Sequence, residues 1–459
     1  MTPNRSRASR RQAGFTLIEM TVSLIVIVEV LLAVLMLFDF SNKLSHAQSN
    51  IADMQQSLRI AQNEMNATVR MAGRGGLTFF NTSPPTPPQG GAIWVRDNVP
   101  TSTNIATGDT TSPLVVPGTD VLTVRGVFAA PMYQVNSLDS TSLVYYTDDN
   151  WSPANVTTDP NVARTGTLKI IAQTAPDGQT LQTLANIVAS GIHEAMIIES
   201  ANNPEVHAVV ELVPTGSTVD VATQAVLRFR VRGSASDPVT SYAPLIWGGA
   251  YPSTMKSVSE VGILEEYRFY IRQNMASPTD MASKLTKARF MPGTNTAWGP
   301  GPDNSANLKI DLADDILDLQ VALAFDTANH VARTSLPTGV SDNCTLGTIA
   351  ADPANCYISE AANGVNDDWL YNSTADDITA NVWWSNIPNP PQLYYVRLSL
   401  LARTDGRDYK YEAPVLTNIE DHAYTATDPL NLANTASGST QQRMFRRRIL
   451  QTVIDLRNQ

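Results

Sequence analysis

Two carboxylate side chains, Glu19 and Glu29, interrupt the longest apolar run of the sequence, which extends from residue 15 to residue 38. The other polar residues of that run are two threonines and one serine. An acid inside a membrane-spanning helix costs about 2.5 to 3.5 kcal/mol and usually has a functional role. We therefore expect these two acids to have a reason to be there, because an unpaired charge is costly in an apolar environment.

The apolar run is long enough to cross a membrane as a helix. It would extend roughly 36 Å at 1.5 Å per residue. Four arginines and no acid occupy the first 14 residues, so the positive-inside rule places the N-terminus in the cytoplasm and the rest of the chain across the membrane. A secretory signal peptide and a permanent signal anchor are the alternatives. The first normally has a shorter core, of about 7 to 15 residues, and the second does not account for the two acids.

Residues 14–19, Gly-Phe-Thr-Leu-Ile-Glu, join a glycine and an aromatic residue directly to the apolar run. This motif resembles the processing site of type IV prepilins and of the related pseudopilins. The resemblance implies that residues 1–14 are a leader, that a membrane aspartyl peptidase cleaves after Gly14 on the cytoplasmic side, and that the new amine of Phe15 is methylated. It also implies that Glu19 pairs with such an amine and sets the register of assembly. Glu29 has no counterpart in the motif.

Beyond the membrane, the helix is expected to continue as an amphipathic segment. Apolar residues from Met54 to Val69 recur at spacings of three and four, with polar residues between them. This pattern predicts one apolar stripe packed against a sheet. Three glycines between residues 73 and 76 then predict the end of the helix. We therefore expect one helix over residues 15–76, of which residues 15–38 cross the membrane.

The rest of the chain is expected to form a mainly β head with long loops. Short runs such as residues 120–125, 227–232 and 267–272 contain apolar residues in the pattern of strands, and several alternate apolar with polar positions. Stretches rich in Thr, Ser, Asn, Asp and Pro separate them. Because 43% of the chain is hydrophobic, a sizeable core can form. The sequence thus predicts an α+β fold with a long N-terminal helix and a pilin-like head.

Three segments of the second half resemble PilW-type minor type IV pilins. Residues 312–321 are similar to a short helix that runs into a strand, and residues 395–403 are similar to the strand that follows. Residues 445–458 are similar to the terminal pattern of two arginines, an apolar strand and Leu-Arg-Asn. On this basis the head divides into a variable β-rich region, residues 77–260, and a PilW-like β-rich region, residues 261–459.

The resemblance implies a minor pilin that primes or caps a type IV pilus. Its partners would be the prepilin peptidase, other minor pilins and the major pilin. The protein would stay in the inner membrane, with its head in the periplasm, until it joins the pilus. A J-type minor pseudopilin of type II secretion carries the same signals and remains an alternative. A membrane-anchored enzyme or adhesin is a further alternative, and an anchored enzyme would keep its arginine-rich leader.

Cys344 and Cys356 are the only cysteines of the chain. Eleven residues separate them, and the expected topology places both in an oxidising compartment, so we expect a disulfide. Closing a loop of this size is worth about 3 kcal/mol if the effect is entropic. Neither cysteine has a second cysteine or a histidine at ligand spacing, so the sequence does not favour a metal site.

Composition and motifs favour an interaction protein over an enzyme. The five histidines are scattered, and the sequence has neither a Gly-x-Ser-x-Gly elbow nor a phosphate-binding loop. A formal net charge of −11 argues against general nucleic-acid binding, and the three arginines at 446–448 are expected to face solvent or nearby acids. We therefore expect no catalytic site, no cofactor and no nucleic-acid partner.

Overall fold

A computed structural model describes the chain between residues 16 and 456, with gaps. The described ranges are 16–77, 91–99, 115–128, 131–135, 143–144, 164–171, 181–191, 194–200, 207–231, 258–272, 283–290, 292, 309–325, 369–371, 393–408, 411–425 and 443–456. The chain divides into two compact units, Met1–Asp53 and Met54–Gln459.

The described ranges hold two helices and eighteen strands. The helices are α1, Leu17–Arg70, and α2, Leu181–Ser190. The strands are β1 Ile93–Arg96, β2 Val121–Gly126, β3 Tyr133–Gln134, β4 Leu143–Val144, β5 Arg164–Ile171, β6 Ala195–Ser200, β7 His207–Asp220, β8 Gln224–Val231, β9 Val258–Ile263, β10 Glu265–Arg272, β11 Lys284–Phe290, β12 Lys309–Asp314, β13 Ile316–Phe325, β14 Trp369–Leu370, β15 Leu393–Arg403, β16 Asn418–Ile419, β17 His422–Ala423 and β18 Arg447–Asp455.

The strands form four sheets, and the neighbours within each sheet are antiparallel. A five-stranded sheet has the order β1-β2-β10-β11-β12, and a seven-stranded sheet has the order β3-β9-β6-β7-β8-β5-β4. A four-stranded sheet has the order β14-β13-β15-β18, and β16 and β17 form a small hairpin. The five-stranded sheet combines strands from before and after residue 260.

The long helix α1 forms because its sequence contains neither glycine nor proline from residue 17 to residue 70. In the second unit its apolar stripe is buried, from Met54 through Leu58, Ala61 and Met65 to Val69. Three glycines with positive φ follow within six residues of the helix end, and they let the chain turn where other residues would be strained. The predicted helix and its stripe are therefore present, but the helix ends at Arg70 rather than at residue 76, and the three glycines lie in the turns that follow it.

Contacts from α1 reach two sheets of the head. Glu64 forms an ion pair with Lys287 of β11 at 2.6 Å, and Gln62 donates a hydrogen bond to Thr452 of β18. The backbone runs close to the five-stranded sheet just beyond the helix, because a Cβ added at Gly126 would lie 2.7 Å from the carbonyl oxygen of Met71. These contacts hold the helix end against the head.

One hydrophobic core lies between the seven-stranded sheet and α2. Leu181, Leu184 and Ile187 occupy one side of α2 and are buried against apolar side chains of the sheet, such as Val210 and Phe229. Gly191, with φ 71°, follows the last residue of α2 and permits the left-handed cap. This packing of one helix on an antiparallel sheet, together with α1, gives the α+β character that the sequence predicts.

The expectation of a short helix within residues 312–321 is wrong. Residues 309–314 form β12, and the chain then enters β13 after a single residue, Asp315, with φ 57°. The strand is favoured because β12 pairs with β11 and because Asp311 forms an ion pair with Arg272 and accepts a hydrogen bond from Thr286 at 2.9 Å. These long-range contacts outweigh the local helical character of the acidic segment.

Candidate assembly site

Thr16 and Glu19 form a reciprocal cap at the beginning of α1. The backbone N–H and the hydroxyl of Thr16 donate to Oε2 of Glu19 at 2.9 and 3.0 Å. The N–H of Glu19 is 3.3 Å from the hydroxyl oxygen of Thr16, which accepts its hydrogen bond. This capping box satisfies backbone donors that the first helical turn leaves open, and the carboxylate also complements the helix dipole.

The cap fixes Glu19 in the first turn of α1, directly after the expected processing site. Gly14 and Phe15 themselves lie outside the described residues, as do Cys344 and Cys356. Glu19 was expected at this site from the sequence, whereas Thr16, its partner within the chain, was not. The signal was present, since Thr-x-x-Glu ahead of an apolar run is the pattern of a capping box.

The first part of α1 exposes apolar side chains on every side. In the isolated chain all large apolar residues between Leu17 and Leu44 are exposed, from 84% for Leu17 to 42% for Val34. Soluble monomers rarely expose a continuous apolar surface of this extent, and such surfaces mark contacts with membranes or other proteins. Among the described residues, α1 is the one helix that is long and apolar enough to cross a membrane.

Glu29 also lies on this apolar surface. No described residue caps its carboxylate as Thr16 caps that of Glu19. The residues four positions before and after it on the helix are Ile25 and Ala33, and no described side chain forms an ion pair or hydrogen bond with its carboxylate. The next acid along the helix, Asp39, is paired with Lys43 at 2.6 Å. Glu29 is therefore the most costly residue of this segment in an apolar environment.

A second set of polar side chains connects the five-stranded sheet to the four-stranded sheet. Asp120 accepts hydrogen bonds from the backbone N–H of Val321 at 2.7 Å and of Asn98 at 3.0 Å, and Asn98 also donates to Asp421 at 2.9 Å. Burial raises the pKa of Asp120 well above its usual value, and the charges of Asp97 and Asp421 raise it further. This carboxylate thus ties the two sheets together by accepting backbone hydrogen bonds.

The neighbouring histidine belongs to the same buried network. His422 Nδ1 is 2.8 Å from Oδ2 of Asp318, and Tyr424 donates its hydroxyl hydrogen to the same oxygen. Gln320 donates to the other oxygen of Asp318 at 3.0 Å. Asp318 is completely buried and the His422 side chain is only 5% exposed, so these groups hold the hairpin β16-β17 on the four-stranded sheet. Within the described ranges, no group of three or more His, Cys, Asp or Glu is arranged to hold a metal ion.

Glu194 is the second strongly perturbed acid of the head. It lies at the entry to β6, is completely buried, and is 3.4 Å from Arg289 of β11. Arg289 also forms an ion pair with Glu265 at 3.3 Å, so its guanidinium is shared between two carboxylates. Burial raises the pKa of Glu194 to about 7; the Arg289 charge opposes this shift and Glu265 adds to it.

The arginines near the C-terminus face acids. Arg443 pairs with Glu412 at 2.6 Å and Arg446 pairs with Asp408 at 2.9 Å. Burial next to other arginines lowers the pKa of Arg447 to about 10. Of the cluster at 446–448, Arg446 thus faces an acid as expected, whereas Arg443 lies just before the cluster.

Comparison with known proteins does not assign the chain to a family. No family model, no curated protein and no solved structure matches it.

Proposed function

We propose that this chain is a minor type IV pilin of the PilW kind, which primes the assembly of a pilus or forms part of its tip complex. The observation that carries the proposal is the junction at residues 14–19. There a glycine and an aromatic residue precede a capping box whose glutamate stands in the first turn of an exposed apolar helix. A helix of this kind needs an apolar environment on all sides, which a bilayer supplies before assembly and neighbouring helices supply afterwards.

The cap gives Glu19 a defined position for an incoming charge. Cleavage after Gly14 would create an α-amine on Phe15, one residue before the amide that already donates to Glu19. A carboxylate held in place by its own chain loses little further freedom when an amine of a neighbouring subunit approaches it. Pairing the two charges in an apolar bundle offsets the desolvation of each.

In this proposal the arginine-rich leader stays in the cytoplasm and α1 anchors the protein in the inner membrane. The head lies on the periplasmic side until the helix is transferred into the pilus. Glu19 would then meet the N-terminal amine of the subunit above, so the protein would lie beneath another minor pilin rather than at the extreme tip.

Processing at Gly14 is the direct test of the proposal. Gly14→Leu should leave a full-length membrane protein that does not assemble, because the peptidase must accommodate a residue without a side chain at the cut. Ala13→Leu is the matched control, since it adds the same side chain one residue earlier and keeps the glycine. Normal trimming and normal piliation in the Gly14→Leu strain would contradict the proposal.

A further inference from the structure

Glu29 lies deep within the apolar segment of α1. Residues 15–28 of the apolar run precede it and residues 30–38 follow it. At 1.5 Å per residue, its Cα is therefore roughly 13 Å or more from either end of the run. Long lysine and arginine side chains near helix ends can extend to the membrane surface. A glutamate is shorter, so at this depth its carboxylate stays in the apolar layer.

The neighbours of Glu29 on its own helix are apolar. Residues three and four positions away share a side of a helix, and for Glu29 these are Ile25, Val26, Leu32 and Ala33. The three large ones are between 50 and 53% exposed. The side of α1 that carries Glu29 is thus an open apolar surface with one carboxylate in it, and its own neighbours cannot pair with that carboxylate.

A second copy of the chain cannot supply the opposite charge. Residues 15–38 contain no lysine, arginine or histidine, so another α1 in the same layer brings only further acids, whatever its direction. The next base along the helix is Lys43, about 21 Å from Glu29, and it forms an ion pair with Asp39. The nearest preceding base, Arg11, is farther away still. A partner that neutralises Glu29 in the apolar layer is therefore a different protein.

The two acids of the run lie at different depths and on different sides of α1. Ten positions separate Glu19 from Glu29, which corresponds to roughly 15 Å along the axis and leaves the side chains roughly 80° apart around it. An amine that pairs with Glu19 is therefore too far away to neutralise Glu29. The two carboxylates need separate partners.

We propose that Glu29 is a docking site for a membrane-spanning helix of a different protein, which carries a lysine or arginine near the middle of the membrane. Charged residues in membrane-spanning segments usually pair with one another, because an ion pair offsets the cost of both charges. Ala33, one turn after Glu29, is the only alanine of a run without glycine, and small residues let a neighbouring helix approach closely. The membrane location rests on the proposed function, whereas the sign of the partner's charge follows from Glu29 itself.

A transmembrane peptide tests the pairing with the full-length protein in phosphatidylcholine vesicles. The biotinylated probe is a leucine-alanine helix of about 20 residues with one lysine at its centre, and the control peptide carries leucine there. Benzoylphenylalanine in place of Leu32, on the same side of α1 as Glu29, captures a bound helix on illumination. Saturable cross-linking of the lysine peptide is expected, with an affinity about tenfold above that of the control, which corresponds to about 1.4 kcal/mol. Equal cross-linking of the two peptides would overturn the proposal.

Substitutions of Glu29 separate charge pairing from membrane insertion. Glu29→Leu should bind the lysine peptide about tenfold more weakly, although the loss of the acid favours insertion of the helix. Glu29→Lys should reverse the preference and bind a peptide with a central glutamate. Benzoylphenylalanine in place of Leu31 is the geometric control, because two positions along a helix turn the side chain roughly 160° away from Glu29. Wild-type binding by Glu29→Leu, or equal cross-linking from Leu31, would contradict the assignment of this side of α1.

In the native host, the same cross-linker at position 32 identifies the partner. The cross-linked peptide, sequenced by mass spectrometry, should belong to a different membrane protein and contain a lysine or arginine within an apolar helix. Cross-linking to a second copy alone, or to an apolar helix without a base, would refute the inference.

Processing at Gly14 distinguishes this inference from the proposed function. Glu29→Leu should lose the cross-link while Gly14 is still cleaved, because Glu29 lies far along the helix from the processing site. Unprocessed protein that still forms the Glu29-dependent cross-link would contradict the proposed function and support the pairing. Normally processed protein without any cross-link from position 32 would contradict the pairing alone.

Discussion

Glu194 should make the stability of the head depend on pH. Its carboxylate is completely buried, and burial raises its pKa from 4.5 to about 7. The folded chain therefore binds this proton more tightly than the unfolded chain does. The stabilising contribution is complete below about pH 4.5 and is lost as the pH rises through 7. Glu194→Gln keeps the shape of the side chain without a titratable group, so it should remove this loss.

The size of the effect follows from the shift in pKa. A shift of about 2.5 units at 1.36 kcal/mol per unit amounts to about 3 kcal/mol. Relative to wild type, Glu194→Gln should thus raise the free energy of unfolding by about 3 kcal/mol at pH 8, but by less than about 1 kcal/mol at pH 5. The value at pH 8 is an upper limit, because glutamine gives up the charge that pairs with Arg289.

Urea unfolding of the full-length protein in detergent micelles, followed by tryptophan fluorescence at pH 5 and pH 8, measures this difference. Glu412→Gln is the matched control, because the Glu412 side chain is 63% exposed although it also pairs with an arginine. The control should keep the pH dependence of the wild type. An equal effect of Glu194→Gln at both pH values would refute the reasoning that burial controls this carboxylate.

Three further substitutions test other parts of the structure. Glu19→Ala removes the cap and the expected partner of the neighbouring amine, so processing should persist while pilus number falls; wild-type piliation would contradict this role. Glu29→Leu should favour membrane insertion of α1 by about 3 kcal/mol in a glycosylation-based insertion assay, and unchanged insertion would show that the acid is not in the apolar layer. Asp120→Ala leaves the backbone N–H groups of Asn98 and Val321 without their acceptor, which should cost about 1 to 3 kcal/mol each; an unchanged urea midpoint would contradict the importance of this connection.

The parts of the fold that depend on local signals could be predicted from the sequence. The helix α1 could be predicted because its apolar stripe repeats every three or four residues and because glycines end it. The pairing of Thr16 with Glu19 could also have been predicted, since both residues belong to one short motif. Local periodicity of this kind determines where a helix begins and which side of it is buried.

The features that depend on distant contacts could not be predicted in the same way. The segment at 309–314 forms a strand because β11 supplies its backbone partners, and no local pattern identifies that neighbour. Asp97, Asp120 and Asp421 interact although hundreds of residues separate the first from the last. The order of strands brings these acids together, and a single sequence does not specify that order.

The mass of the mature N-terminal peptide tests the central claim most directly. Protein purified from the membrane of its native host should begin at Phe15, without residues 1–14, and its first residue should carry the additional mass of one methyl group on the amine. An N-terminal peptide that still contains the arginine-rich leader would contradict the account. So would one that begins after Ala47, because Ser45-His46-Ala47 has the small-x-small pattern of a secretory cleavage site.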